Sequence, residues 1–391
     1  MRLTEEEKRM LEGKKGNAVK KSMEILVALG EIFGAENLIP VTSVQISGVS
    51  YANLGDAGLE FLATMASDGK AKVKTTLNPA GMDMENWRIL GIDEKFAEKQ
   101  KRVINAFEKM DVETTCTCTP YFVGNEPKLG EHIAWGESSA VTFANSVLGA
   151  KTNREGGPST IASALTGRTP AYGLHLEKNR QAQFIIEIDA KISGSMLFGA
   201  LGCVAGKHAK GRIPLFKGIE RATIEELKTL SASIVTYGGA PMFHIEKRTP
   251  NETNIPNEKI CIQQSEIDNA IDEMNDTRDV DFIFIGCPHC SIEEIRELTQ
   301  LLKGKKVKKE LWVGIASPVK KRAEQEGYSE IIEEAGAKFA CDTCHVVAPL
   351  KGRFKGLATN SAKGVYYGRG QNSFRTFYGT MSDCIELAVE V

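Results

Sequence analysis

The chain has 391 residues, of which 42% are hydrophobic and 26% charged, enough to bury a large core across two or three domains. Its formal net charge of −2 argues against the basic balance typical of proteins that bind nucleic acids or anionic membranes. The N-terminus, MRLTEEEKRM, lacks the apolar segment of a secretory signal, and no apolar run approaches the roughly 20 residues that cross a bilayer. We therefore expect a cytoplasmic protein without a nucleic acid or a membrane as partner.

The N-terminal part of the chain predicts alternating helices and strands. Thr4, followed by three glutamates, is typical of a capping box that starts a helix. A mostly apolar strand over residues 38–46 leads into a turn at residues 48–50, and a second helix follows. Residues 71–77 predict another strand, which ends at residues 78–81. The repeated order of strand, glycine-containing loop and helix indicates an α/β fold with mostly parallel sheets.

The middle of the chain, residues 116–211, is rich in glycine, serine and threonine and has few periodic segments. We predict functional loops here, above all over residues 153–158 and 194–206. A weakly marked boundary follows this part of the chain. It divides the protein into an N-terminal α/β region, residues 1–215, and a C-terminal α/β region, residues 216–391.

Clear alternation returns in the last third of the chain. Residues 280–285 and 310–316 predict nearly continuous apolar strands, and residues 337–340 predict a shorter one. Ser291 and Glu294 form the capping box of the helix that follows the first of these strands. Strands buried on both faces are typical of a parallel sheet covered by helices.

Nine cysteines in a chain without a secretory signal are unlike a disulfide framework, because the cytosol keeps thiols reduced. Three stand alone, where we expect inert buried thiols: Cys203, Cys261 and Cys384. The other six form three groups that each follow a predicted strand: Cys116 with Cys118, Cys287 with Cys290, and Cys341 with Cys344. Ligands of parallel α/β sheets bind at the carboxyl ends of the strands, so all three groups can offer sulfur to one crevice.

The spacing of these cysteines leaves several interpretations open. Two C-x-x-C pairs can hold a structural zinc ion with four thiolates, although the fifty residues between Cys290 and Cys341 exceed the spacing of a compact zinc ribbon. A C-x-x-C redox pair is a second interpretation, without the expected thioredoxin-like context. An iron–sulfur cluster that takes one cysteine from each group uses all three groups.

Several longer motifs resemble those of the aconitase X family. They are TCTPY at 117–121, GEHIAWGESSA at 130–140, NREGG at 153–157, GCPH at 286–289 and DTC at 342–344. The resemblance extends from about residue 45 to the end of the chain. It implies an aconitase-superfamily fold, with stacked α/β domains around a cluster-binding crevice and a separate swivelling domain that completes the active site. It also implies three cluster ligands: Cys118, Cys287 and Cys344.

The implied chemistry is that of a hydro-lyase. Three cysteines on a 4Fe-4S cluster leave one iron open, and an open iron acts as a Lewis acid on a substrate hydroxyl group. Elimination of water also requires a base, which the family implies to be a serine on the swivelling domain. Because the sequence ends at Val391 without that domain, we expect a separate small subunit to carry it and the large subunit alone to be inactive.

The resemblance also indicates which residues face the substrate. The candidates for substrate binding are Gly48, Val49, Ser50, Asn78, Pro79, Glu137, Ser138 and Lys363, of which Glu137 and Ser138 are also the catalytic candidates. Backbone N–H groups near glycine bind anionic oxygens, and a lysine supplies a point charge. Each candidate also has an ordinary interpretation: two turns, a helix N-terminus and a solvated lysine.

Four further residues remain alternatives for the same crevice. His132 and His289 are either hydrogen-bond donors near the cluster or ordinary core histidines. Arg154 and Arg369 are alternatives to the lysine, because both lie in glycine-flanked loops.

Two activities are implied for the family. One is dehydration of cis-3-hydroxy-L-proline, and the other is dehydration of (R)-5-phosphomevalonate to trans-anhydromevalonate 5-phosphate in the mevalonate pathway of isoprenoid biosynthesis. The chain length and the missing swivelling domain favour the second activity. A hypothesis of another class is a non-enzymatic zinc- or cluster-binding subunit that stabilises a partner.

Overall fold

The computed structural model describes residues 1–389. The strands are β1 (Leu38–Pro40), β2 (Ser43–Ile46), β3 (Lys74–Leu77), β4 (Ala134–Trp135), β5 (Arg168–Pro170), β6 (Phe184–Asp189), β7 (Pro214–Lys217), β8 (His244–Ile245), β9 (Lys259–Gln263), β10 (Phe282–Ile285), β11 (Glu310–Ile315), β12 (Lys338–Cys341), β13 (Gly356–Thr359) and β14 (Arg375–Tyr378).

Helices alternate with these strands along most of the chain. The α-helices are α1 (Glu5–Leu11), α2 (Asn17–Ile32), α3 (Tyr51–Met65), α4 (Glu94–Lys109), α5 (Ser138–Phe143), α6 (Gly157–Thr166), α7 (Ser195–Ala209), α8 (Ile224–Gly238), α9 (Gln264–Glu273), α10 (Ile292–Leu302), α11 (Ser317–Gln325), α12 (Tyr328–Glu334), α13 (Ala362–Asn372) and α14 (Met381–Val389). A π-helical turn (Ala144–Leu148) extends α5. Within residues 1–389, no helix has the length and apolar character needed to span a bilayer.

Three parallel sheets organise the molecule, which confirms the predicted fold class. The first has the strand order β3-β2-β4, the second β8-β7-β6-β9, and the third β12-β11-β10-β13-β14. Every pairing within them is parallel, and only the short β1–β5 pair is antiparallel among the described strands. The parallel arrangement places the loops that follow neighbouring strands at one edge of each sheet.

The first sheet is lengthened by two single bridges at its edges. Leu77 of β3 bridges to Cys116, and Trp135 of β4 bridges to Arg154. The Cys116 segment therefore continues the sheet beside β3, and the Arg154 segment continues it beside β4. A core of aliphatic side chains from the sheet and from α3, α4 and α6 supports this edge.

The second sheet is covered by α7 and α8, and here one prediction is wrong. Residues 195–206, predicted as part of a loop, belong to α7. Their glycines permit close packing against α8, because a Cβ atom at Gly206 would lie 2.8 Å from the carbonyl oxygen of Ile234. At Gly202 a Cβ atom would lie 2.6 Å from the Cβ atom of Ser233. The predicted boundary between residues 215 and 216 falls inside β7, and that division of the chain stays a prediction.

The third sheet contains the predicted apolar strands of the C-terminal part, β10, β11 and β12. Ser291 and Glu294 form the predicted capping box at the start of α10. An apolar cluster joins this sheet to the first part of the chain, since Met82 and Trp87 pack with Phe284 and Trp312. Cys287 and Cys344 also belong to this cluster.

Candidate active site

The three cysteine loops meet at His289, which follows β10 in the third sheet. The backbone N–H of His289 donates to Sγ of Cys118 at 3.2 Å. One ring nitrogen, Nδ1, lies 3.0 Å from the hydroxyl oxygen of Thr117. The other, Nε2, lies 2.9 Å from the carbonyl oxygen of Thr343, next to Cys344. A carbonyl only accepts, so Nε2 carries the proton and Nδ1 accepts from Thr117.

The environment of His289 keeps its ring neutral. Burial, together with the nearby ammonium groups of Lys228 and Lys363, lowers the pKa of His289 to about 4, although the hydrogen bond to Thr343 and the charge of Glu137 oppose this. A neutral ring that donates at one nitrogen and accepts at the other has a fixed orientation. His289 therefore ties the loops of Cys118 and Cys344 to its own loop, which also carries Cys287.

The thiols of Cys118, Cys287 and Cys344 are buried and free of disulfides. Burial, together with Glu137 and Cys287, raises the pKa of Cys118 to about 12, although Lys363 and the hydrogen bond from His289 oppose this. Burial likewise raises the pKa of Cys344, and the other two thiols raise it further. Buried thiols with an N–H donor on one of them form a donor set that fits a polynuclear iron–sulfur cluster.

The second cysteine of each group lies in a different environment. Sγ of Cys116 donates to the carbonyl oxygen of Thr114 at 3.3 Å. Cys290 packs in the apolar core of the third sheet, and Cys341 lies within β12. In the described residues, no three His, Cys, Asp or Glu side chains converge as ligands of a single metal ion.

Glu137 and Lys363 form a buried ion pair beside the cysteine loops. Glu137 caps α5, and Lys363 lies at the start of α13. Only 11% of the Glu137 side chain and 9% of the Lys363 side chain are exposed. The Asn78 amide donates to the second carboxylate oxygen of Glu137 at 2.8 Å, and the Ser139 hydroxyl donates to the first at 2.9 Å. Four of the polar groups in this crevice thus come from three segments far apart in the sequence.

The ion pair fixes the charge on both partners. Burial would raise the pKa of Glu137, but Lys363 and the hydrogen bonds from Lys363, Ser139 and Asn78 lower it to about 2. Burial would lower the pKa of Lys363, but Glu137 and two nearby thiols raise it above its usual value. Glu137 is therefore a carboxylate and Lys363 an ammonium at ordinary pH. The carboxylate is suited to orient a polar ligand, and the ammonium to bind an anionic one.

Ser138 is half-buried at the first position of α5. Its hydroxyl makes one long contact, 3.5 Å to Glu137, so it keeps the capacity to donate to a ligand.

The Asn78–Pro79 turn runs beside the Cys344 loop. The N–H of Ala80 donates to the carbonyl oxygen of Asp342 at 2.9 Å.

The turn at Gly48, Val49 and Ser50 also borders the Cys344 loop. Gly48 has a φ of 76°, a left-handed conformation that favours glycine. The Ser50 hydroxyl caps α3 and donates at 2.8 Å to the carbonyl oxygen of Val347. Within residues 1–389 the backbone N–H groups of Gly48, Val49 and Ser50 have no acceptor. They are therefore available to an anionic ligand.

Gln100 holds this turn in place, and sequence reasoning missed it. Its amide nitrogen donates to the carbonyl oxygen of Val49 at 3.0 Å. Its amide oxygen accepts from the N–H groups of Tyr51 at 2.8 Å and Gly81 at 3.1 Å. The available signal was a glutamine on the apolar face of α4, in line with Ala97.

Several buried polar atoms around the crevice lack hydrogen-bond partners within residues 1–389. They include Oδ1 of Asn78, Oε1 of Gln45, Oγ1 of Thr343 and Oγ1 of Thr359. Gln45 donates to the carbonyl oxygen of Thr117 at 2.7 Å, and Thr343 adjoins Cys344, so these atoms border the cysteine loops. Unpaired buried polar atoms are costly in a finished core and are common where a ligand binds.

Two of the remaining alternatives from the sequence have partners away from the cysteine loops, and a third is exposed. His132 pairs with His175, with 3.0 Å between their Nδ1 atoms. Arg369 pairs with Asp276, and Arg154 is exposed. His289 is thus the one of the four that the structure brings to the cysteine loops.

Comparison with known proteins agrees with this geometry. Sequence profiles for the first, second and third domains of aconitase X match residues 1–178, 182–272 and 280–390. The chain belongs to the aconitase X family. Membership of this family indicates a metal cluster.

The crystal structure of Thermococcus kodakaraensis aconitase X in its holo form has 44% sequence identity to this chain and a TM-score of 0.93, and the match covers 99% of this chain and 100% of that one. The predicted aconitase-like fold is therefore confirmed.

Relatives within the aconitase X family have two kinds of name. The phosphomevalonate dehydratase large subunit of Methanocaldococcus jannaschii is 50% identical over 382 residues, which are 94% of this chain and 95% of that protein. The cis-3-hydroxy-L-proline dehydratase of Hypocrea jecorina is 35% identical over 405 residues, which are 97% of this chain but 67% of that protein.

Proposed function

We propose that this aconitase X chain is the large, catalytic subunit of a hydro-lyase that dehydrates (R)-5-phosphomevalonate to trans-anhydromevalonate 5-phosphate. The similarity over nearly the whole length of a phosphomevalonate dehydratase large subunit supports this substrate over hydroxyproline. The observation that carries the proposal is that three cysteine loops and the Glu137–Lys363 pair meet in one buried crevice.

In this proposal Cys118, Cys287 and Cys344 hold a 4Fe-4S cluster. When bound, such a cluster supplies an open iron that acts as a Lewis acid on the substrate hydroxyl group. The buried position of the three thiols and the N–H donor on Cys118 support this assignment. The second cysteine of each group has no ligand role.

The chain's own polar groups bind and orient the substrate. The Lys363 ammonium and the free N–H groups of Gly48, Val49 and Ser50 bind its anionic groups. Glu137, ionised and held by Asn78, orients the hydroxyl group that leaves. Glu137 accepts the proton of that hydroxyl group only when the bound substrate displaces Lys363 from the ion pair. While the ion pair is intact, the pKa of Glu137 is near 2 and its carboxylate is a weak base.

The proposal includes a separate small subunit. It carries the swivelling domain, which closes the crevice, and a serine that serves as base for the carbon-bound proton. The name large subunit, which several relatives bear, supports a two-subunit enzyme. We expect the large subunit alone to hold the cluster but to turn over no substrate.

The decisive test is an anaerobic assay of the two reconstituted subunits with each candidate substrate. We expect loss of water from (R)-5-phosphomevalonate and none from cis-3-hydroxy-L-proline. Turnover of hydroxyproline alone would reverse the choice of substrate. A colourless, zinc-containing chain without turnover would instead support a non-enzymatic subunit, because zinc has no visible charge-transfer band.

A further inference from the structure

Lys228, from a helix that covers the second sheet, contacts the loop that carries Cys287 in the third sheet. Lys228 of α8 is 1% exposed. Its ammonium donates to the carbonyl oxygen of His289 at 3.0 Å and lies 3.5 Å from that of Pro288. It also forms an ion pair with Glu294 of α10. Phe122, four residues after Cys118, has its ring centroid 6.0 Å from the same ammonium.

A second contact between α8 and α10 supports this arrangement. The Ser291 hydroxyl donates at 2.9 Å to Glu225, which lies one turn before Lys228. The Glu294 carboxylate accepts the N–H of Ser291 at 2.8 Å and so completes the cap of α10. Lys228 and Glu225 therefore hold the segment between Cys287 and α10 against helix α8.

Lys228 holds the two peptides on either side of the His289 Cα atom, and the N–H of the first of them faces the cysteine sulfur. Lys228 binds the carbonyl groups on either side of the His289 nitrogen, while the N–H of His289 points to Sγ of Cys118. A charged donor on a buried carbonyl is a strong hydrogen bond, and losing it leaves the oxygen unpaired. The orientation of the N–H at the sulfur thus depends on a side chain whose hydrogen bonds within residues 1–389 go to Pro288, His289 and Glu294 and not to a cysteine.

We propose that Lys228 is a positioning residue, which directs the His289 N–H at Cys118 and fixes the loop of Cys287 from outside the crevice. The inference rests on the proposed function, in which both cysteines ligate the cluster. Burial would lower the pKa of Lys228, but Glu294 and Cys290 raise it above its usual value, so the donor is charged.

The variant that tests this role must not leave a buried carboxylate unpaired. Lys228→Met combined with Glu294→Gln removes both charges and keeps a side chain that can cap α10. Glu294→Gln alone is the matched variant that retains the lysine. Lys207→Met is the surface control, because Lys207 on neighbouring α7 is 49% exposed in its pair with Glu273.

Two measurements on the full chain are needed. The first is the rate at which the visible absorption of the reconstituted chain bleaches in air, with iron per chain as a check. The second is hydrogen exchange of residues 286–290 in the chain without its cluster. In the double variant we expect bleaching at least about tenfold faster than in either control, as for other groups that orient metal ligands. We expect the His289 amide to exchange at least about tenfold faster as well.

The outcomes separate this inference from the function on which it rests. Unchanged exchange in the double variant would overturn the positioning role, and so would faster exchange with unchanged bleaching. Failure of the natural chain to take up iron would refute the proposed function. Lys228 would then orient a loop without a cluster, and the exchange measurement alone would reveal it.

Discussion

At the scale of single residues, the crevice combines groups that are costly to bury one by one. An ion pair inside a protein is tolerated when hydrogen bonds satisfy its remaining atoms. Glu137 meets this condition through Asn78 and Ser139. Motifs identified these residues, but the partnership of Glu137 with Lys363, which are 226 positions apart, follows from no local pattern.

The ion pair predicts a specific pH dependence of stability. The pKa of Glu137 falls from 4.5 to about 2 on folding, so the stabilisation is complete above pH 4.5 and is lost as the pH falls towards 2. We expect the melting temperature of the cluster-free chain to exceed that of Glu137→Gln by a constant margin between neutral pH and about pH 5. Thermal melts followed by circular dichroism should show the margin shrinking only below that. A margin that already closes near neutral pH would contradict the ion pair.

The ligand assignment predicts a contrast between two cysteines. Cys344→Ser should abolish retention of the cluster, because a serine hydroxyl is a poor replacement for a thiolate. Cys261→Ser should leave retention unchanged, because Cys261 lies on β9 and is exposed, where the sequence predicted a buried thiol. Iron content and visible absorption after anaerobic reconstitution measure both. Equal retention in the two variants would remove Cys344 from the ligand set.

At the scale of elements, strands were easier to predict than glycine-rich helices. The mostly apolar runs before Cys287 and Cys344 are short and bounded by turn residues, and this length together with these boundaries favours a buried strand over a helix. The α7 segment has glycine at positions 199, 202 and 206, which by propensity alone indicates a loop. Tertiary contact with α8 reverses this preference, since only glycine allows the two backbones to approach so closely.

The close approach of α7 and α8 predicts a large effect of one methyl group. Gly206→Ala places a Cβ atom 2.8 Å from a backbone carbonyl oxygen, and we expect it to lower the free energy of unfolding by about 1–3 kcal/mol. Gly370→Ala is the matched control, because a Cβ atom there meets nothing within 4 Å. It should stabilise helix α13 by about 0.5–1 kcal/mol. Denaturant titrations of the cluster-free chain measure both changes, and equal effects would contradict the packing explanation.

At the scale of the whole molecule, alternation in the sequence predicted the parallel sheets but not how they are joined. Arg180 makes one of the contacts that join the first and second aconitase X domains of the chain. Its buried guanidinium donates to both the side chain and the backbone of Asn145, and to the carbonyl oxygens of Ala150 and Leu174. His244 of β8 lies 2.8 Å from the carbonyl oxygen of Arg180 itself. No spacing in the sequence indicates contacts of this kind, because every acceptor but one is backbone.

Removing the hydrogen bonds of the Arg180 guanidinium should destabilise the folded molecule strongly. We expect Arg180→Met to lower the free energy of unfolding by about 3 kcal/mol or more, because several buried acceptors lose their donor. Arg212→Met, at a surface pair with Glu258 that is 38% exposed on the arginine side, should change it by less than about 1 kcal/mol. Thermal melts of both variants against the natural chain provide the comparison. A small effect at Arg180 would show that water replaces the guanidinium.

The contacts of His289 have a consequence for how the protein matures. Because one neutral imidazole and its own amide already gather three distant loops, folding itself brings the loops of Cys118, Cys287 and Cys344 together. If these cysteines hold the cluster as proposed, iron would meet loops that are already ordered, and its affinity would not be reduced by the entropy of ordering them. Unlike a zinc finger, which is unfolded without its metal, this chain should be a folded acceptor for cluster delivery.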